Sequence, residues 1–214
     1  MFFIMKKGVM YVIVFGVLTF TMSSVFGQIS QADLELRTAF RKSYEAESLT
    51  KYAKAIEELT PFSNVNTYEV NIRLGYLNYM NAKFLQATSY YKKCIELAPK
   101  SVEARLGYIN TLASLEKWDD VVLQYKEILK SDPGNAKSLY NLGLIYYNRL
   151  DYSNAQLYLN TYLSLYPFDF DGVNLTGWNK YYMGKKEEAV VLFKKALLLN
   201  PTSTLYDSVF LNKK

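Results

Sequence analysis

The sequence predicts an all-α protein, an α-solenoid of stacked helix–turn–helix hairpins with about four regular repeats and one irregular N-terminal helix pair. Four of its five prolines recur at a step of 34 residues: Pro99, Pro133, Pro167 and Pro201. Small residues recur in phase with them: Gly75, Gly143, Gly177, then Ala87, Ala155 and Ala189. Only 10 glycines and 5 prolines occur in 214 residues, which favours long helices joined by short turns.

The N-terminal segment up to Gly27 predicts a secretory signal peptide. Lys6 and Lys7 precede the apolar run Gly8–Met22, and small residues close the segment before Gln28, which would become the new N-terminus. The competing interpretation is an uncleaved signal anchor, because the run up to Gly27 has about 20 residues and could just span a bilayer. Either alternative predicts an exported, periplasmic or envelope-associated protein, and the short signal suggests a bacterial origin.

The segment that follows, residues 28–67, predicts an irregular helix pair or cap. Two apolar faces support the prediction: Leu36, Phe40 and Tyr44, then Tyr52, Ala55, Ile56 and Leu59. Pro61 lies 38 residues before Pro99, so the repeat phase slips by four residues at this point.

The regular part of the chain divides at the period. The predicted units are residues 68–101, 102–135, 136–169 and 170–203, followed by a short C-terminal cap helix and basic tail over 204–214. In each unit proline ends the second helix, because it cannot continue the hydrogen-bond ladder. Acidic residues such as Asp119 and Glu187 begin second helices, where they suit the positive end of the helix dipole. The aromatic residues at the turns, Phe84, Trp118 and Tyr152, are expected to pack between the two helices.

This pattern resembles the tetratricopeptide repeat, a 34-residue helix–turn–helix unit. The residues that carry the resemblance are Leu74, Gly75, Tyr76, Ala87 and Pro99; Leu142, Gly143, Tyr146, Ala155 and Pro167; and Gly177, Ala189, Phe193, Ala196 and Pro201. The resemblance covers about residues 68–201. It implies a stack of hairpins whose first helices line a concave groove, in a family made up mostly of adaptors with diverse partners.

The resemblance also implies which residues face that groove: the second, fifth, ninth and twelfth of each unit. The partner-binding candidates at these positions are Tyr76, Tyr79, Asn110, Lys137, Tyr140, Tyr147, Trp178 and Tyr181. Asn141, the sixth residue of its unit, is added because the family also uses Lys and Asn to clamp a peptide carboxylate, and Lys137 and Asn141 lie in suitable places for this. Tyr and Trp offer rigid contact area with one polar group, which is typical of binding hot spots. The alternative is that several of them simply pack between adjacent repeats.

Composition argues against catalysis. The chain has no histidine and one cysteine, which excludes His-based triads, His metal sites and an intrachain disulfide. Because no Gly-rich phosphate loop or zinc-ligand spacing is visible either, we predict no enzyme activity, no catalytic residues, no cofactor and no metal. Cys94 falls at a position expected to lie in the core.

Charge is mildly basic. The chain has 25 basic and 20 acidic residues, net +5, and loss of Lys6 and Lys7 would leave +3, which predicts no nucleic-acid partner. Lys92, Lys126 and Lys194 share one repeat position and are expected to form a solvated stripe. The Lys–Asn pattern with which some family members clamp a C-terminal carboxylate is incomplete, because Lys137 and Asn141 occur in one unit only.

Two functions therefore stay open. The first is an exported, non-catalytic adaptor or scaffold that binds a protein or peptide segment in an aromatic-rich groove. The second is a membrane-tethered or self-associating structural component of a cell-envelope assembly. A homo-oligomer would form through the C-terminal repeat, because the stub Thr204–Leu211 is too short to cover the last hairpin.

Overall fold

The structure is a computed structural model that describes residues 30–203, and every regular element in this range is helical. The described residues fall into two compact units that divide between Phe62 and Ser63. The predicted signal segment and the predicted C-terminal cap lie outside the described residues.

Over its described residues, 30–62, the first unit contains the helices α1 (Gln31–Ser48) and α2 (Tyr52–Leu59), followed by a 3-10 turn at Thr60–Phe62. A capping box begins α1: the Ser30 hydroxyl accepts a hydrogen bond from the Asp33 amide at 3.1 Å, and the Asp33 carboxylate accepts one from the Ser30 amide at 3.1 Å. The Asp33 carboxylate also accepts a hydrogen bond from the Ser30 hydroxyl at 2.7 Å, and this bond, followed by that from the Ser30 amide, holds the pKa of Asp33 below its usual value.

The apolar face predicted for α1 is partly wrong. Tyr44 is 54% exposed, and the buried residues of this helix are the small ones: Ala39, Ser43 and Ala46. Small side chains allow a close approach of backbones, which leaves a large ring at the edge of the contact. The face predicted for α2 includes Ala55 and Leu59, which are both fully buried.

The second unit is a series of helices paired into hairpins. They are α3 (Tyr68–Met80), α4 (Phe84–Leu97), α5 (Val102–Ser114), α6 (Trp118–Ser131), α7 (Ala136–Asn148), α8 (Tyr152–Leu165), α9 (Phe170–Tyr182) and α10 (Lys186–Leu199). Odd-numbered helices are the first of each hairpin, and even-numbered helices are the second. Each helix packs on the next along the chain, and α3 also contacts α5 as α7 contacts α9. The predicted all-α stack of hairpins is confirmed.

The first and second helices of the hairpins begin in different ways. A polar side chain caps each first helix by accepting a hydrogen bond from the backbone N–H three residues later: Thr67, Ser101, Asn135 and Asp169. The second helices α4, α6 and α10 follow lysines that make no side-chain cap. Two of them instead carry acids in the first turn, as predicted from Asp119 and Glu187.

A left-handed residue makes the turn between the two helices of every hairpin in this unit. The residues, one repeat apart, are Ala82 (φ 56°), Glu116 (φ 56°), Leu150 (φ 61°) and Gly184 (φ 80°). Only Gly184 adopts this conformation without strain, whereas an L-residue with a Cβ loses about 1 kcal/mol. Backbone hydrogen bonds to the end of the first helix hold each turn, such as those from the Ala82 amide to the Tyr79 carbonyl at 3.0 Å and from the Lys83 amide to the Asn78 carbonyl at 2.8 Å.

The closest helix contacts occur where glycine faces a large side chain. The buried ring of Tyr91, on α4, lies between Gly75 of its own hairpin and Gly107 of the next. A Cβ added to these glycines would stand 3.0 Å and 2.3 Å from the ring. One side chain thus sets the spacing within a hairpin and between two hairpins.

Gly107→Ala should therefore destabilise the protein by about 1–3 kcal/mol, because Tyr91 is held on both sides and cannot move away. Gly134→Ala is the control, since its added Cβ would stand 3.6 Å from Leu165, an ordinary contact. Urea unfolding followed by circular dichroism measures both. Equal midpoints for the two variants would show that the Tyr91 contact does not set the helix spacing.

Candidate partner-binding site

The inner face, as we use the term, is the set of second, fifth, ninth and twelfth residues of α3, α5, α7 and α9. Its members are Glu69, Ile72, Tyr76, Tyr79, Glu103, Leu106, Asn110, Ala113, Lys137, Tyr140, Leu144, Tyr147, Asp171, Asn174, Trp178 and Tyr181. A period of 3.6 residues places these positions on one side of each helix. None of the sixteen is buried, whereas neighbours on the other sides, such as Leu139 and Leu142, are.

The predicted site residues differ in how much surface they offer. Four are exposed: Tyr76, Asn110, Lys137 and Tyr181. Five are half-buried: Tyr79, Tyr140, Asn141, Tyr147 and Trp178. The amide nitrogen of Asn141, which is outside the inner face, donates to the carbonyl of Lys137 at 2.7 Å. That amide hydrogen is therefore engaged with the backbone of its own helix.

Aromatic rings from three helices meet at one end of the inner face. The ring of Tyr182 lies 6.0 Å from Tyr147 of α7 and 5.5 Å from Tyr152 of α8, on which it stacks. On α9, Trp178 lies 5.7 Å from Tyr181 in an edge-to-face arrangement. We call these five residues the C-terminal aromatic cluster. Such pairs stabilise the hairpin stack as well as presenting ring surface.

Two of the predicted contact residues also take part in packing. The indole of Trp178 lies 4.9 Å from the ring of Phe193, which is fully buried in α10. The ring of Tyr140 lies 5.5 Å from Tyr162, a buried residue of α8. Both contacts join the two helices of one hairpin, whereas the alternative raised by the sequence was packing between adjacent repeats.

Two carboxylates lie beside the Tyr140 and Tyr162 pair. Asp169 caps α9 by accepting from the Gly172 amide at 2.7 Å, and Asp171 is exposed in the first turn. Burial raises the pKa of Tyr162 to about 12, and the Asp169 carboxylate adds to that effect. Burial first, then Asp171 and Asp169, raises the pKa of Tyr140. Both phenols are therefore neutral at physiological pH and can donate hydrogen bonds.

The opposite end of the inner face is less aromatic. The guanidinium of Arg73 lies over the ring of Tyr76, 5.8 Å from its centroid. The hydroxyl of Tyr68 donates to the Glu103 carboxylate at 3.0 Å, a bond that links the first two hairpins of the unit. The sequence pattern did not predict either contact.

The lysines that share one repeat position were expected to form a solvated stripe, but two of them contact aromatic rings. Lys92 lies over the ring of Tyr108 at 5.9 Å and Lys126 over Tyr146 at 5.6 Å. In both cases the ring belongs to the next hairpin. A hydrogen bond with Tyr146 raises the pKa of Lys126, so this ammonium stays charged.

The core prediction for Cys94 is confirmed. Its thiol is fully buried and donates weakly to the carbonyl of Tyr68 at 3.8 Å. Burial raises the pKa of this thiol to about 12, so it stays protonated and unreactive in the folded protein.

Two aromatic residues of the surface were not predicted. Tyr182 is 53% exposed, and its only signal in the sequence is its place directly after Tyr181. Trp118 was expected to pack between helices, but it is 47% exposed and borders a shallow cleft with Ile145 and Arg149. Phe84 and Tyr152, at the same place in α4 and α8, are half-buried, so the expectation fails for Trp118 in particular.

Between residues 30 and 203, no group of three or more His, Cys, Asp or Glu side chains is placed to hold a metal ion. In the same range, no helix has both the length and the apolar character needed to cross a membrane.

The fold and this exposed inner face define a helical-repeat scaffold of the kind that binds other proteins. Two family models, both described as tetratricopeptide repeat, match it: one over residues 137–169, the other over residues 68–101 and 177–203. The chain is a tetratricopeptide repeat protein, as its sequence predicted. Proteins of this family are typically interaction scaffolds, and the fold and the family matches support that general role for this chain.

Comparisons with individual proteins agree with the fold. The chain is 25% identical over 130 residues to anaphase-promoting complex subunit 6 of Arabidopsis thaliana, covering 61% of this chain and 24% of that relative. It thus spans about a quarter of that protein's length. A crystal structure of MamA matches with a TM-score of 0.68 at 18% identity, covering 82% of this chain and 95% of the other. MamA 41-end from Desulfovibrio magneticus RS-1 matches at 0.66 and 15% identity, covering 79% and 97%.

Trp178→Ala should lower the free energy of unfolding by about 3 kcal/mol, because it removes the contact with the buried ring of Phe193. Tyr181→Ala, on the same helix but 37% exposed, should lower it by less than about 1 kcal/mol. Urea unfolding of the two variants measures the difference. If Trp178→Ala were no more destabilising than Tyr181→Ala, the indole would have no structural role.

Proposed function

We propose that this protein is an exported, non-catalytic adaptor that holds an extended segment of a protein or peptide on its inner face. The observation that carries the proposal is that all sixteen inner-face positions stay accessible over four consecutive first helices. Seven of the sixteen residues have large side chains that supply much contact area. They are Tyr76 and Tyr79 in the first hairpin, and Tyr140, Leu144, Tyr147, Trp178 and Tyr181 in the last two.

The size of the inner face supports an extended occupant. Packed helices lie about 8–10 Å apart, so four first helices offer a track of roughly 25–30 Å. An extended chain rises about 3.3 Å per residue, and the track therefore fits about eight or nine residues. A segment of that length could contact both Tyr76 in the first hairpin and Tyr181 in the last.

The segment would be held along its length and not by its C-terminal carboxylate. A carboxylate clamp needs several converging donors. Lys137 supplies one on the inner face, but the Asn141 amide in the same helix already donates to the Lys137 carbonyl at 2.7 Å. The neighbouring hairpin has Gly107 at the position equivalent to Asn141, which offers no side-chain donor.

Site-specific photocrosslinking tests the inner face. A photoreactive amino acid is placed at Asn110, Lys137 or Tyr181, and its matched control on the second helix of the same hairpin at Leu123, Leu157 or Val191. These controls are 51%, 64% and 66% exposed and lie on the outer side of the hairpins. In the producing cells, the inner positions should each form an adduct with the same partner and the outer positions should not.

Adducts confined to the outer positions would contradict the proposed site. One result would favour a second candidate function, a self-associating structural component of the cell envelope. Helix α10 exposes Val191 at 66% and Leu198 at 82%, an apolar surface that a second copy could cover. An adduct at Val191 that contains two copies of this chain would support that candidate.

Export is tested by the intact mass of the protein recovered from its natural compartment. Cleavage of the signal segment should give a chain that begins at Gln28, because two lysines, an apolar run and small residues precede that position. A mass that retains residues 1–27 would instead support a membrane-tethered protein, the other form of the second candidate.

A further inference from the structure

The inner face has the opposite charge from the chain as a whole. Three of its residues are carboxylates, Glu69, Glu103 and Asp171, and one is a cation, Lys137. The complete chain, in contrast, has a net charge of +5. The surface proposed to hold a partner is therefore the acidic side of a basic protein.

Along each first helix, the charged residue of the inner face lies near the N-terminal end, and most of the aromatic rings lie nearer the C-terminal end. Each charge is the second residue of its helix, whereas the rings of Tyr76, Trp178 and Tyr181 belong to the ninth and twelfth residues. On α9, Asp171 and Trp178 are seven residues apart, which corresponds to about 10 Å along the axis. Asp171 and Tyr140 both belong to the inner face, and the helices that carry them, α9 and α7, contact each other.

Two of the three carboxylates are accessible and unpaired. Glu69 and Asp171 are exposed, and no ion pair among residues 30–203 includes either of them. Acids elsewhere in the unit do have cations: Asp119 is paired with Arg149 at 2.9 Å and Glu188 with Lys180 at 2.6 Å. The third inner-face acid, Glu103, accepts a hydrogen bond from Tyr68.

A first-turn acid also favours its own helix through the dipole, and this effect explains Asp171 without a partner. It does not explain why aromatic rings share the face. Tyr and Trp rings attract cations, and this chain already pairs them in that way, with Arg73 over Tyr76 at 5.8 Å and Lys126 over Tyr146 at 5.6 Å. Carboxylates and ring faces on one surface select the same ligand, an ammonium or guanidinium group.

We propose that the segment bound on the inner face is basic. A Lys or Arg of the partner lies between Asp171 and the ring of Tyr140, and a large apolar or aromatic residue contacts the C-terminal aromatic cluster. An extended chain covers 10 Å in about three residues, which sets the spacing of the two groups. This inference rests on the proposed function, because it names the chemistry of the partner at the same site.

The test measures binding of three fluorescein-labelled decapeptides to the full chain by fluorescence anisotropy. The peptides differ at three positions only, which all hold Arg in the first peptide, Gln in the second and Glu in the third. Each of these positions is three residues from a Leu or Tyr. The Arg peptide should bind at least about tenfold more tightly than the Gln peptide at low salt, since each exposed ion pair contributes about two- to fivefold. High salt should reduce the difference, because exposed charges are screened.

Variants locate the effect on the inner face. Asp171→Asn should weaken binding of the Arg peptide about two- to fivefold and leave the Gln peptide unchanged. The matched control is Glu187→Gln, which removes a carboxylate at the second residue of α10, outside the inner face. Lys137→Gln should strengthen binding of the Arg peptide, because it removes the one cation of the set.

Each outcome decides the inference. Tightest binding of the Gln or Glu peptide, lost in Tyr181→Ala, would overturn the basic partner while the proposed inner-face function stands. Failure of the Arg peptide to bind, or binding that Glu187→Gln weakens as much as Asp171→Asn, would also overturn it. The photocrosslinks at Asn110, Lys137 and Tyr181 report on the proposed function independently of peptide charge.

Discussion

The spacing of the helices in this protein depends on contacts between a large side chain and a glycine. Tyr91 occupies the space that two glycines leave open: a Cβ would overlap its ring at Gly107, in the next hairpin, and would crowd it at Gly75, in its own. Because helices that meet in this way must keep one register, each first helix turns the same side away from the core. The inner face is a consequence of that register, since its positions on successive helices come to lie side by side.

The same rings that offer a binding surface also hold the last hairpins together. Trp178 contacts the buried ring of Phe193 and the exposed ring of Tyr181, so the same indole packs against the core and forms part of the exposed aromatic surface. Tyr182 joins three helices through Tyr147 and Tyr152. A surface built from such shared rings is stiff, and a stiff surface loses little side-chain entropy when it binds a partner. Its electrostatic character comes from residues such as Asp171 that have no role in packing.

Much of the architecture could be predicted from the sequence because it depends on local rules. Proline ends a helix, an acid such as Glu187 favours a helix start, and the recurrence of both at one period predicts stacked hairpins. Periodicity also indicates which side of a helix a residue occupies. It does not indicate what lies opposite, so the contact of Trp178 with Phe193, the position of Lys126 over Tyr146 and the exposure of Trp118 required three-dimensional distances. The exposure of Tyr44 was missed because small residues took the core side of α1.

The left-handed turns and the stacking of the hairpins bear differently on how the protein can be divided. Ala82, Glu116 and Leu150 hold a backbone conformation that L-residues rarely adopt, and hydrogen bonds within the same hairpin keep them in it, such as that from the Lys83 amide to the Asn78 carbonyl at 2.8 Å. A single hairpin cut out of the unit would keep the bonds of its turn, but it would expose the apolar sides that its neighbours cover. The smallest fragment able to fold alone is therefore longer than one repeat, and proteolysis within an end hairpin would loosen the adjacent one as well.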